Sequence, residues 1–220
     1  MSNKHVTVFI WSVILALGGF LFGFDTAVIS GVEKKVQVLF DLSPFWHGFT
    51  IASALIGTVA GALFAGKPTD RYGRKPVLFI VALLFFISAI GSALAFNVEI
   101  FILFRFLGGI AVGASSVVAP MYISEVSPAS MRGRMTALFQ FNVIFGILIA
   151  YVSNYALRDM GDDAWRWMLG VGGLPAVAYF FLLFLVPVSP RFVIKKTKAR
   201  RRLWYCAGSE QGTWKLKWKQ

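Results

Sequence analysis

The stretch RFLGGIAVGASSVVAPMYISEVSPASMRGRMTALFQFNVIFG, which runs from Arg105 to Gly146, decides how the rest of this sequence is interpreted. It holds two apolar runs on either side of a short polar turn, and Arg105 lies inside the first run. An ionised side chain at membrane depth costs at least ~2.5–3.5 kcal/mol on insertion scales, so it faces a partner or a water-filled cavity. The arginine therefore marks a candidate functional site within a membrane.

The composition supports a membrane protein. Apolar residues make up 57% of the 220 residues, whereas ordinary soluble domains contain about 45–50%. Stretches of about 20 apolar residues are long enough to cross a bilayer. The sequence therefore predicts an all-α integral membrane protein whose residues 1–192 form a bundle of six transmembrane helices. These predicted spans lie at about residues 6–32, 45–65, 77–96, 100–123, 135–155 and 167–188.

The net charge of +12 would suggest a nucleic-acid partner in a soluble protein. Here most Lys and Arg residues fall on one side of the predicted spans, which is the positive-inside pattern. We expect a multi-pass protein of the cell membrane with a cytoplasmic amino terminus and no nucleic-acid partner. The single cysteine, Cys206, allows no intrachain disulfide and has no companion ligands for a metal. No cofactor, metal site or catalytic residue is expected.

Residues 193–220 differ from the bundle. They are basic, with three tryptophans and the cysteine, and they show neither a seventh span nor an amphipathic period. We interpret them as a disordered or aberrant tail of the kind that a truncation or frameshift leaves. A tail lying on anionic lipid is the alternative.

Asp25 is the expected partner of Arg105. If span one runs outward, Asp25 lies about 10 Å from its outer end, and Arg105 lies about 8 Å from the outer start of span four. Groups of opposite charge at one depth are expected to meet, and protonation of Asp25 would then release Arg105. A static structural ion pair and a water-exposed vestibule are the alternatives.

The turn GKPTDRYGRKP, residues 66–76, predicts a latch at the inner end of the bundle. Gly73 permits a tight turn, while Asp70 can accept hydrogen bonds from helix ends and from arginines of neighbouring inner turns. Simple positive-inside anchoring is the alternative, and it accounts for Lys67 and Lys75.

The second inner turn offers a similar latch. Glu125 and Arg132 flank this turn, which is predicted at residues 124–134. Pro120 is expected to break or bend span four near its inner end. Ordinary helix termination at Pro128 competes with a functional role for that proline.

Two more residues are candidates for sugar contact. Gln140 lies about 12 Å beyond Arg132 toward the membrane centre, where an amide can both donate to and accept from a polyol. Phe22 precedes Asp25 by three residues and could stack on a sugar ring. An interhelical hydrogen bond and plain packing are the respective alternatives.

Glycine pairs suggest an internal repeat. Gly19 and Gly23 in span one match Gly109 and Gly113 in span four. A spacing of four places each pair on one helix face and lets two backbones approach closely. Paired three-helix repeats build many transporters, although packing alone explains glycine pairs as well.

Together these motifs resemble the sugar porter family of the major facilitator superfamily. The resemblance is carried by FLFGFDTAVISG, GKPTDRYGRKP, RFLGGIAVG, PMYISEVSP, MRGRM, Gln140 with Gly146, and PVSPR. It implies that this chain is the amino-terminal 3+3 half of a twelve-helix fold. It also implies proton coupling by Asp25 and Arg105.

The resemblance extends to the other site residues. It assigns sugar contact to Phe22, Gln140 and Ile147, where Ile147 replaces a second glutamine as it does in glucose facilitators. It implies an inner salt-bridge network of Asp70, Arg71, Arg74, Glu125, Arg132 and Arg191. Val188 replaces a glutamate that this network has in the family.

The leading interpretation is a monosaccharide–proton symporter that works by alternating access, present here as a half that is inactive alone. Its expected partners are a monosaccharide, a proton, membrane lipid, and either the missing carboxyl-terminal six-helix half or a second copy. The alternatives are a sugar facilitator and a non-transporting sensor or assembly subunit. An enzyme is the weakest option, because no nucleophile–base pair or metal cluster is visible.

Overall fold

The computed structural model describes residues 3–187, and the regular secondary structure of that region is all helical, without strands. Its helices are α1 Asn3–Leu39, α2 Pro44–Phe64, α3 Gly66–Tyr72, α4 Arg74–Ala93, α5 Val98–Val126, α6 Arg132–Leu157, α7 Ala164–Val171 and α8 Gly173–Leu182, followed by a 3-10 turn at Leu183–Leu185. Within these residues six helical segments are long and apolar enough to cross a membrane. The predicted fold class is confirmed. The predicted tail at 193–220 lies outside the described residues.

We keep the names span one to span six for α1, α2, α4, α5, α6 and the joined α7–α8. The end of the bundle that holds residues 66–76 is called the inner end. Two outer helix starts have side-chain caps: Ser43 Oγ accepts from the Trp46 amide at 3.5 Å, and Asn97 Oδ1 accepts from the Ile100 amide at 3.0 Å. Such caps satisfy amides that have no partner within the helix.

The inner turns differ from the prediction. Residues 66–76 are not simply a turn, since α3 occupies Gly66–Tyr72 and span three begins at Arg74. Gly73 separates the two helices with φ 96°, a conformation that favours glycine. Of the break or bend expected at Pro120, the break is wrong, because span four continues as one helix through that residue to Val126. The second inner turn is therefore shorter than predicted, and Glu125 lies on the helix.

The outer side also differs. Span one is helical to Leu39 and so extends beyond its predicted end at about residue 32. Span six was predicted as one helix from about residue 167, but it begins at Ala164 and is divided at Gly172. A Cβ on Gly172 would lie 3.1 Å from the Phe24 ring, so glycine lets span six pass close to span one here.

Two glycine-lined contacts hold the repeats together. A side chain on Gly23 would overlap the Val143 carbonyl of span five, and one on Gly113 would overlap the Thr58 carbonyl of span two. Span one therefore packs on span five as span two packs on span four. Close backbone approach is the usual consequence of small residues at helix interfaces in membranes. The paired arrangement matches the 3+3 repeat that the sequence suggested.

Candidate functional site

An ion pair joins spans one and four in the outer half of the bundle. Arg105 Nη1 donates to Asp25 Oδ1 at 2.5 Å. Only 4% of the Arg105 side chain and 12% of the Asp25 side chain are exposed. The contact that the sequence predicted is therefore present. It lies beside an apolar cluster that includes Phe24 and Phe101, one turn or less from the charged residues.

The hydrogen bonding of this pair is incomplete. Arg105 Nε is buried and has no hydrogen-bond partner within the described part of the chain. A guanidinium keeps its charge in proteins, whereas a carboxylate can take up a proton. Asp25 is thus the member whose charge can change. Such a change would leave a buried cation without its counter-ion, which is strongly unfavourable.

The three predicted sugar-contact residues lie on the two spans that pack together. Phe22 and Ile147 are half-buried and pack against a buried apolar cluster that includes Leu21 and Val143. Gln140 is exposed. Gln140 and Ile147 are seven residues apart, about two helical turns, and so share one face of span five. Gln140 is the polar member of this group.

Arg74 forms the centre of a second charged cluster at the inner end. Its Nη2 lies 3.1 Å from Glu125 Oε1 of span four, and its Nη1 lies 3.6 Å from Asp70 Oδ1. Nη1 also donates to the Thr69 carbonyl at 3.2 Å. The Glu125 side chain is 5% exposed, while that of Asp70 is 62% exposed. One arginine at the start of span three therefore ties α3 to the inner end of span four.

The remaining predicted members of the inner network are placed differently. The Arg71 guanidinium lies over the Tyr72 ring, 5.5 Å from its centroid. Arg132 Nε donates to the Ser124 carbonyl at 2.9 Å, which links the start of span five to the end of span four. Arg191 lies outside the described residues.

The structure also shows a contact that the sequence did not predict. Lys75 Nζ donates to the carbonyls of Val186 at 2.6 Å and Phe184 at 3.2 Å. The Tyr122 hydroxyl donates to the Pro187 carbonyl. These bonds hold the inner end of span six against spans three and four. A cation near the carboxyl terminus of a helix can stabilise it by binding the last carbonyl groups. Lys75 and its acceptors are more than one hundred residues apart, so no local sequence pattern reveals this contact.

Comparison with known proteins identifies the family. The family model described as "Sugar (and other) transporter" matches residues 11–210. The chain is 43% identical over 217 residues to a glucose transport protein of Synechocystis, covering 92% of this chain and 46% of that protein. It is 41% identical over 208 residues to the arabinose–proton symporter of Bacillus subtilis, covering 92% of this chain and 45% of the relative.

A solved structure agrees with this result. The proton:xylose symporter of the major facilitator superfamily, bound to 6-bromo-6-deoxy-D-glucose, matches with a TM-score of 0.84 at 37% identity. The match covers 88% of this chain and 48% of that one, so the chain spans about half the length of these relatives. The six-helix bundle is that of the amino-terminal half of the fold. This multi-pass membrane protein belongs to the sugar (and other) transporter family.

Proposed function

We propose that this chain is the amino-terminal half of a monosaccharide–proton symporter of the cell membrane, with its amino terminus in the cytoplasm. The buried Asp25–Arg105 pair carries the proposal. A carboxylate inside a membrane protein is a natural proton-binding group. Because Asp25 holds Arg105, binding of a proton would also release the arginine side chain from this contact. The relatives described as arabinose–proton and xylose–proton symporters support the same assignment.

In this mechanism Asp25 takes up a proton from the outer side. The neutral acid no longer holds Arg105, which must then find another acceptor or solvent. A ligand shifts a two-state equilibrium only by its differential affinity for the two states. Proton binding would therefore favour whichever orientation of the bundle offers Arg105 a new partner, and sugar binding would favour the same orientation.

The inner cluster would act as the latch of the outward-open state. Arg74 would hold Glu125 and Asp70 while the inner ends are closed, as in the geometry observed here. Opening toward the cytoplasm would require these contacts to rearrange. The contact with Asp70 is mostly exposed and weak, so the buried contact between Arg74 and Glu125 would be the main one that opening has to break.

The sugar would lie against spans one and five and against a second six-helix unit. Gln140 would bind hydroxyl groups, and Phe22 with Ile147 would form an apolar wall beside them. The second unit would be a carboxyl-terminal half or a second copy of this chain. Relatives described as transporters of glucose, arabinose and xylose suggest a monosaccharide of that size.

Uptake of labelled glucose, arabinose and xylose into reconstituted vesicles tests the proposal. One sample would contain the chain alone, and the other would contain residues 1–187 joined to the carboxyl-terminal half of the arabinose–proton symporter. We expect uptake by the joined protein, accelerated by an inward proton gradient, and little or none by the chain alone. Uptake by the chain alone would favour a second copy. Absence of both uptake and sugar binding would contradict a role in sugar transport.

A facilitator is the second candidate, and Ile147 favours it. In the symporter pattern that the sequence resembles, this position is a glutamine, whereas glucose facilitators have isoleucine. The two candidates differ in one readout: a facilitator carries sugar at the same rate with and without a proton gradient.

A further inference from the structure

Spans three and six both carry basic residues in their first helical turns. Lys75 is the second residue of span three, and Arg166 is the third residue of span six. Neither first turn contains an acidic residue. The amino end of a helix has a partial positive charge, so a cation is unfavourable there within its own helix. The placement of these two residues therefore depends on contacts outside their own helices.

Both basic residues reach the last carbonyl groups of the other helix. Lys75 Nζ donates to the carbonyls of Val186 and Phe184 at the inner end, as described above. Arg166 Nη1 donates to the Ala93 carbonyl at 3.0 Å at the outer end. The last carbonyls of a helix have no partner within that helix and carry partial negative charge. Because the two spans are antiparallel, a cation at the start of one helix stabilises the end of the other.

Apolar contacts join the two helices between these ends. Phe79 of span three lies edge-on to Phe180 of span six, with ring centroids 5.1 Å apart. Nearer the outer end, a Cβ on Gly173 would lie 3.4 Å from Ile90, so the helices are in close contact there too. Residues 75–93 of span three separate the two charged contacts by about 27 Å.

We propose that spans three and six form one strut that is clamped at both ends, with Lys75 as the inner clamp and Arg166 as the outer clamp. One clamp alone would let the helices separate at the opposite end, whereas two clamps oppose both separation and sliding. Spans three and six are the third members of the two three-helix repeats, and inversion of a repeat exchanges its inner and outer ends. The two clamps therefore occupy corresponding places in the repeats.

This strut contains none of the residues assigned to sugar or proton. A bundle that changes orientation would either keep the strut intact or break one of its clamps. The inference does not depend on the proposed function, so it is tested on the purified full chain in detergent without any substrate.

Hydrogen exchange of backbone amides, measured by mass spectrometry, tests the strut in Lys75→Met, Arg166→Met and the double variant. Loss of one clamp should speed exchange about tenfold at its own end, which is residues 183–186 for Lys75→Met and residues 91–94 for Arg166→Met. The opposite end should not change, because its own clamp remains. The double variant should also speed exchange in the middle of span six, at residues 174–182, which neither single variant affects.

Three results would overturn the proposal. Unchanged exchange at both ends in the single variants would mean that the hydrogen bonds do not hold the helix ends. Faster exchange at both ends in one single variant would mean that one contact holds the whole pair. An unchanged middle of span six in the double variant would mean two separate helix caps and no strut.

Two control variants remove charge without removing a clamp. Lys67→Met removes an exposed cation from the inner end. Asp163→Asn removes the 3.2 Å ion pair of Arg166 but leaves the acceptor of its bond to span three in place. Neither control should change exchange at either end of the strut. If Lys67→Met matched Lys75→Met, the effect would come from net charge, which would contradict a clamp at Lys75.

Lys75→Arg separates a lost hydrogen bond from a damaged fold. It keeps a cation with hydrogen-bond donors at the same place, so exchange at residues 183–186 should stay within about threefold of the unsubstituted chain. An increase as large as that of Lys75→Met would mean that the packing of the lysine stem, and not its bonds to span six, holds this end.

Discussion

The outer ion pair and the inner charged cluster use similar residues in different ways. The outer Asp25 has Arg105 as its ion-pair partner in the described chain, and both side chains are nearly inaccessible. The inner Arg74 contacts two carboxylates and a backbone carbonyl, and one of those carboxylates is mostly exposed. The outer arginine therefore has one ion-pair partner, whereas the inner arginine has several acceptors.

This difference bears on what each site can do. Loss of one charge at the outer site leaves the buried Arg105 without an ion-pair partner, so one proton has a large effect. Loss of one carboxylate at the inner site leaves Arg74 with its remaining acceptors. In the proposed mechanism, the outer pair would act as the proton-dependent switch and the inner cluster as a latch that tolerates partial opening. The following substitutions compare the two sites directly.

The largest effect is expected for Asp25→Ala. This change leaves a buried guanidinium unpaired, which costs about 3–5 kcal/mol, and we expect the free energy of unfolding to fall by that amount in a denaturant titration in detergent. Adding Arg105→Met should recover most of the loss, because apolar replacement of a whole buried pair is often nearly neutral. A loss that the second change does not recover would contradict a charge-based effect.

Asp159→Ala is the control for removing an aspartate. Asp159 pairs with Arg158 at 3.2 Å, but its side chain is 83% exposed. An exposed pair contributes about 0–1 kcal/mol, so little change is expected.

A smaller effect is expected for Glu125→Gln at the inner end. Glu125→Gln removes the negative charge that faces the buried Arg74 at 3.1 Å, and we expect the free energy of unfolding to fall by about 1.5–3 kcal/mol. The exposed Glu99, changed to Gln, serves as the control in the same titration. If Glu125→Gln lowered the unfolding free energy as much as Asp25→Ala, the other acceptors of Arg74 would not compensate for the lost charge, and the contrast between the two sites would be wrong.

The smallest effect is expected for Asp70→Asn. This carboxylate is 62% exposed and lies 3.6 Å from Arg74, so solvent screens the contact. We expect a change of about 0–1 kcal/mol in unfolding free energy. If Asp70→Asn destabilised the chain more than Glu125→Gln, the buried contact would not be the main one in the inner cluster.

Much of this arrangement could be predicted from the sequence. Apolar runs gave the six spans, since their lengths match the bilayer. The contact between Asp25 and Arg105 followed from their similar predicted depths, because a buried charge requires a partner. Both inferences depend on distances along a single helix, which follow directly from the number of residues at about 1.5 Å each.

Other features depend on packing between distant segments. Gly73 adopts a positive φ and resets the helix direction between Arg71 and Arg74, so the sequence could not tell which arginine meets Glu125. The division of span six at Gly172 accompanies its close approach to Phe24 of span one. The bonds from Lys75 to the end of span six likewise exist only once the bundle has assembled.

The proton role of Asp25 is the central claim, and proton uptake on sugar addition tests it most directly. In vesicles that contain the carrier assembled with a second six-helix unit, a sugar pulse should raise the external pH. Asp25→Asn should abolish this pH change while sugar binding remains measurable. An unchanged proton uptake in Asp25→Asn would contradict coupling through this residue.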